Sequence, residues 1–187
     1  RTVVGMGKLS VYNRLPRRSA EEPGDPRFNE EHWPPTAQSG FSPEIDVEDH
    51  SMILMQLDNG VQASYMQCHY TPDTHRNYTV IGTAGRIENF GDHGNCRVAV
   101  YTHRCDEYTE PTEVYALQTD EGGHGGADAA TVAAFIRYVR SGGRAEPSPI
   151  AAREAVATGV AATESLRVDI AARRVDPPNQ KNRQYYG

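Results

Sequence analysis

The chain has 187 residues, enough for one domain with a sizeable core. Hydrophobic residues make up 37% and charged residues 24%, with 17 Gly and 12 Pro, which suits a globular domain with long connections and not a disordered chain. A net charge of −6, with no apolar run near the ~20 residues of a membrane span, argues against nucleic acid or a bilayer as partner.

Thr2 to Tyr12 is β-branched and partly alternating, and predicts a strand. The chain opens on Arg1 and runs straight into this strand, with no signal-peptide pattern, so we expect it to be part of something longer. From about 14 to 44 the pattern dissolves into Pro, Gly and charge, predicting a long irregular loop that Phe28, Trp33 and Phe41 could dock. Its basic residues Arg14, Arg17 and Arg18 are balanced by Glu21, Glu22 and Asp25.

Asp49–Leu57 and Val61–Tyr70 are strand-like runs joined by Asp58-Asn59-Gly60. Asn-Gly predicts a hairpin whose two central residues both take positive φ. Arg76–Thr83 and Arg86–Phe90 repeat the arrangement, with a turn at Ala84-Gly85, and Asn95–His103 and Thr112–Gln118 add further strands. Short links predict antiparallel neighbours.

The period then changes. Asp128–Val139 has helical spacing, with Asp128 as N-cap and Gly142-Gly143 as the stop. Ser148 caps a second helix that has Pro149 at its first position and runs to about Ile170, with a small-residue stripe of Ala151, Ala155, Gly159, Ala162 and Leu166. Residues 175–187 read as a polar tail. The whole predicts a single α+β domain over 1–187: a mostly antiparallel open sheet of about six strands, with both C-terminal helices on one face.

Three cysteines, Cys68, Cys96 and Cys105, at unrelated spacings favour reduced thiols and a cytoplasmic protein. Gly5-Met6-Gly7 lies within a strand and opens no helix, so no dinucleotide fingerprint is present. Gly122 to Gly126 precedes a helix like a phosphate cradle, but lacks the Lys-Ser/Thr ending and a parallel strand. His69, Asp73 and His75 could converge on a metal, though no flanking motif enforces it, and polar lining or plain surface is the stronger reading. No serine has a nucleophile-elbow context. The informative feature is polar load at strand ends. His69, Asp73, Arg76 and Tyr78 bracket one connection, and His124 leads into the first helix. Such a rim suits recognition of a polyhydroxylated ligand, with the Arg76 fork and the Asp73 carboxylate together reading a vicinal diol. The plainer alternative is a local Asp73–Arg76 surface pair.

Four stretches, in order, carry a family likeness: Val47–Tyr65, with its acidic residues, strand, Gly turn and second strand; Arg76–Glu88, with Ile81-Gly82-Thr83-Ala84-Gly85-Arg86-Ile87; Gly123–Asp128 leading into the helix; and Ser148–Arg167. Together they resemble the C-terminal domain of the Gfo/Idh/MocA oxidoreductases. The resemblance implies an NAD(P)-dependent dehydrogenase acting on a sugar, inositol or related polyol, in which this domain closes the substrate pocket and provides an oligomer surface. It also implies an N-terminal Rossmann domain, and a catalytic Lys (Glu-Lys-Pro) and an Asp-x-x-x-His helix that normally precede the strand matched by residues 2–12. No position here matches either motif. We therefore expect NAD or NADP to be bound by a full-length parent and not by this chain, and the chain to be inactive alone, with no catalytic, cofactor or metal residues of its own. His69, Asp73, Arg76, Tyr78 and His124 are the expected substrate contacts. The rival expectation is a non-catalytic binding or assembly module of the same fold. An upstream Gly-rich βαβ unit with a Lys-Pro in the source gene would separate the two.

Overall fold

The computed structural model describes residues 1–16, 34, 45–92, 94–107, 109–118, 123–144 and 147–178. In chain order the elements are β1 (Thr2–Lys8), a 3-10 turn (Tyr12–Arg14), β2 (His50–Gln56), β3 (Gln62–Cys68), β4 (Thr79–Gly82), β5 (Gly85–Phe90), β6 (Arg97–Tyr101), β7 (Glu113–Ala116), a short turn at Gly123–Gly126, α1 (Ala127–Ser141), α2 (Pro149–Val168) and β8 (Arg173–Arg174). They form two compact units: Arg1–Pro72 with Glu146–Gly187, and Asp73–Ala145.

The first unit holds a four-stranded sheet ordered β3-β2-β1-β8, antiparallel throughout. Val3, Ala161, Ala162 and Val175 are buried, with Ile53, Met55 and Ala157 packed against them. Alternation explains the sidedness: Ile53 and Met55 face this core while Met52 and Leu54 point away and are exposed. Gly5 lets α2 come close, since a Cβ there would lie 2.2 Å from the Ala162 carbonyl oxygen. The Gly5 N–H donates to Ser165 Oγ at 3.1 Å, and that fully buried hydroxyl donates to the Ala171 carbonyl at 2.6 Å. Gly5-Met6-Gly7 is thus a helix-packing device on a strand.

The second unit holds a meander ordered β4-β5-β6-β7, also antiparallel. Ala99 and Tyr101 are buried, and Arg86 stacks over the Tyr101 ring at 4.2 Å. Gly85 takes φ 154°, and a Cβ on it would meet the Tyr101 carbonyl oxygen at 2.3 Å.

The fold is α+β, with the sheet description corrected. Among the described residues eight strands form two four-stranded sheets, in place of one open sheet of about six. The short links at 57–61 and 82–85 do return the chain as antiparallel neighbours. The link from β3 to β4, which carries Pro72, does not, and both strands end as edges of separate sheets. The helices do not share one face either. α2 packs on β1, while α1 belongs to the other unit and has no buried residue. β8 was not foreseen; two arginines carry no strand pattern.

Local readings fared unevenly. Ser148 caps α2 as expected, accepting from the Ala151 N–H at 3.2 Å. Asp128 does not cap α1; Gly126, in left-handed conformation, holds that position, and Asp128 sits in the first turn. At the first hairpin only Gly60 has positive φ (84°). Gly60 N–H donates to Leu57 O, and Leu57 N–H to Val61 O, a type I turn followed by a glycine bulge. The second turn falls on Thr83-Ala84, one residue earlier than expected. On α2, Ala151, Ala155 and Gly159 are exposed, and the buried positions are Ala161, Ala162 and Ser165. Most of the 14–44 segment and residues 179–187 lie outside the described residues. Val175, at the head of the expected tail, is buried in the core.

Candidate functional site

His69 lies just past β3 in the first unit. Its N–H donates to Asp49 O at 2.9 Å, and its carbonyl accepts from the Tyr12 hydroxyl at 2.8 Å. Gln67 Nε2 stands 2.5 Å from its Nε2, and the Tyr65 hydroxyl donates to Gln67 Oε1 at 2.8 Å. Alternation along a strand puts Tyr65 and Gln67 on one side, so they make a polar ladder ending at His69.

Beside it, Asp49 is 4% exposed and closes the turn that leaves β1. Its carboxylate accepts from the N–H groups of Ser10 (3.0 Å), Val11 (2.7 Å) and Tyr12 (3.1 Å), and lies 3.1 Å from His50 Nδ1. The Tyr70 hydroxyl is 3.2 Å from the same ring nitrogen. Burial alone would raise the Asp49 pKa, but the Val11 N–H, His50 and the Ser10 and Tyr12 N–H groups outweigh it and hold the carboxyl below its ordinary value. The Tyr12 phenol is pushed up, by burial first and then by the charge of Asp49. Sequence reading passed over Asp49 as a clamp, because its partners sit nearly forty residues upstream.

Asp73, Arg76, Tyr78 and His124 belong to the second unit. Arg76 reaches Asp92 through both its N–H (3.3 Å) and its guanidinium (2.6 Å). Asp73 pairs with His75 Nδ1 at 3.1 Å. The Tyr78 N–H donates to the Asn89 amide oxygen, and Asn89 N–H returns to Tyr78 O at 3.1 Å. Asn89 Nδ2 donates to the carbonyls of Arg76 (2.8 Å) and Gly91 (2.9 Å), while the Gly91 N–H donates to Asn77 Oδ1 at 2.9 Å. The segment 76–78 is thereby laced to residues 89–92. This holds Arg76 and Tyr78 on one tied stretch, with Asp73 just before it; Asp92 pairs with Arg76 and His75 with Asp73. His124 pairs with Asp128 (3.0 Å), its side chain 82% exposed and its backbone left-handed at φ 52°.

An open concavity lies at this stretch, lined by Asp73, Thr74, His75, Asn77, Phe90 and Gly91. His75, weighed from the sequence as a metal candidate or polar lining, lies in it; Asn77 and Phe90 were not among the expected contacts. Among the described residues no three of His, Cys, Asp and Glu converge as a metal would require. The described residues hold no Rossmann turn of parallel strand, glycine loop and helix. Every strand pair is antiparallel, and the glycine run before α1 follows β7 without a parallel partner strand.

These features describe an α+β domain built on two antiparallel sheets. The pattern of the oxidoreductase family, C-terminal alpha/beta domain (Gfo/Idh/MocA), matches residues 8–169. The chain belongs to that family. It is 33% identical over 92 residues to the putative oxidoreductase YteT of Bacillus subtilis (strain 168), a match covering 47% of this chain and 22% of that protein. Two solved structures share its fold. Levoglucosan dehydrogenase in complex with NADH and L-sorbose matches with TM-score 0.63 and 14% identity over 95% of this chain and 45% of that one. The same enzyme with NADH and levoglucosan gives TM-score 0.64 and 15% identity, with the same coverage. The chain thus spans less than half the length of these relatives. No helix of the described residues is long and apolar enough to cross a membrane.

Proposed function

We propose that the chain is the substrate-binding and oligomerisation domain of a cytoplasmic NAD(P)-dependent dehydrogenase acting on a sugar, an inositol or a related polyol, and that it is inactive by itself. The observation that carries this reading is family membership over residues 8–169, joined to a fold shared with a dehydrogenase that binds NADH together with a sugar. In such an enzyme the nicotinamide supplies the hydride chemistry and the protein orients the hydroxyl to be oxidised. The residues of this chain would orient: His69, Asp73, Arg76, Tyr78 and His124 are the proposed contacts, with Asp92 holding the Arg76 fork in place.

The test uses both forms of the protein. Calorimetry on the 187-residue chain is expected to show no binding of NAD or NADP at micromolar affinity, and the full-length protein is expected to reduce one of them with levoglucosan, L-sorbose or myo-inositol. In the full-length protein Arg76→Ala is expected to lower kcat/KM about tenfold or more, since ~1.4 kcal/mol of transition-state binding is one decade. An unchanged kcat/KM would reduce Arg76–Asp92 to a surface ion pair.

Self-association through the open face of the first sheet belongs to the same proposal. Met6, Met52 and Met66 are cross-strand neighbours on that face, 37%, 43% and 74% exposed, with Leu54 beside them at 48%. A contiguous apolar row of this kind favours burial against a second copy. Light scattering at high micromolar concentration is expected to report a dimer or larger species, and a clean monomer would refute this part.

A further inference from the structure

We propose that the concavity formed by Asp73, Thr74, His75, Asn77, Phe90 and Gly91 is a polyol subsite, with His75 and Asn77 as its specificity-determining residues. The proposal rests on the dehydrogenase reading above, shares Asp73 with it, and adds His75 and Asn77, which that reading does not name.

The walls are held before any ligand arrives. Asn77 Oδ1 takes the Gly91 N–H, Asn89 ties Arg76, Tyr78 and Gly91 together, and Asp92 holds Arg76, so both sides of the concavity are fixed to each other. Arg97 stacks on the Phe90 ring at 4.7 Å and restrains it from turning. Preorganised walls save the ordering cost that a flexible loop would meet on binding.

The chemistry selects the ligand class. Asp73 Oδ2 lies 3.1 Å from His75 Nδ1, so that nitrogen is turned to the carboxylate and Nε2 is the ring atom left for a ligand hydroxyl. With its oxygen engaged by Gly91, Asn77 offers Nδ2 as a donor. The Thr74 hydroxyl can do either. Donor, acceptor and hydroxyl around one aromatic ring match a neutral polyol, whose hydroxyls alternate the same roles and whose C–H face can lie on Phe90. An anion would meet the Asp73 carboxylate with no lysine or arginine in the lining. A cation would find one carboxylate, and no three metal-ligating groups converge among the described residues. An apolar ligand would strand five polar or backbone-lined positions against one phenyl ring.

The test is made in the full-length protein with His75→Ala and Asn77→Asp, the latter keeping the oxygen that holds Gly91 and removing the donor. Levoglucosan, L-sorbose and myo-inositol are the probes, read by calorimetry and by NAD(P) reduction. Each variant is expected to raise KM and Kd for the accepted polyol about tenfold, with kcat held within about twofold and an unchanged melting temperature. Thr74→Val, at an exposed loop position, serves if either variant melts early, with the same expected rise. Binding of a polyol that survives these variants undiminished overturns the subsite alone. Failure of all three polyols to bind or be oxidised overturns the dehydrogenase reading, and the subsite with it.

Discussion

Gly5→Ala is expected to destabilise the first unit by about 3 kcal/mol or more. The added Cβ would sit 2.2 Å from the Ala162 carbonyl oxygen and 2.9 Å from its carbon, both backbone atoms of α2. No rotamer change can relieve a backbone clash, so α2 must move off β1. That movement also opens the Gly5 N–H to Ser165 Oγ bond and exposes a core whose largest fully buried side chains are only Val3 and Ser165. Overpacking of about 1–3 kcal/mol and a buried hydrogen bond of similar cost act together. Urea unfolding followed by circular dichroism measures the sum. A loss under about 1 kcal/mol would mean that α2 does not rest on β1 as described. Gly159→Ala is the control: nothing lies within 4 Å of a Cβ there, and this mid-helix exchange is expected to stabilise by about 1 kcal/mol.

Asp49→Ala is expected to cost about 2–4 kcal/mol, because three backbone N–H groups lose their acceptor at once. The sign of the pH effect follows from the lowered pKa. A carboxyl whose folded pKa is depressed contributes its full stabilisation above the unfolded value of about 4, and loses it as pH falls from there through the folded value. The wild-type protein is therefore expected to weaken on acidification below about pH 4 through this group. Asp49→Asn retains an oxygen for Val11 but has no charge to lose, and should flatten that part of the curve. Thermal melts of both proteins between pH 3 and pH 7 provide the comparison, and parallel curves would remove Asp49 from the account.

How far the sequence could be read depended on the range of each interaction. Ser148-Pro149 announced the start of α2, and Asn59-Gly60 announced a hairpin, because caps and turns are decided within four residues. The type of that hairpin was misjudged, since Gly60 alone takes positive φ and the bulge absorbs the rest of the twist. The division into two sheets was not legible. It depends on whether the link carrying Pro72 brings β4 back to β3, which no pattern inside either strand records. Of the stripe on α2, Ala162 and Leu166 meet β1 while Ala151, Ala155 and Gly159 are exposed, because alanines occur all round that helix and only contact with Gly5 and Gly7 selects among them. The polar crowding of Asp73, Arg76 and Tyr78 between two strands is legible from their spacing alone. Their partners are not: Asp92 stands 16 positions from Arg76, and Asn89 13 from it.

The Asp49 clamp has a further consequence for how this domain can vary. β1 and β2 pair in full register, Lys8 against His50, and the clamp fastens the chain just beyond. Two antiparallel neighbours need only a few residues to join them. Residues 9–49 occupy that place, so the sheet would close as well around a much shorter crossing. Shortening the sequence between Tyr12 and Asp49 would therefore leave both the clamp and the pairing of β1 with β2 in place.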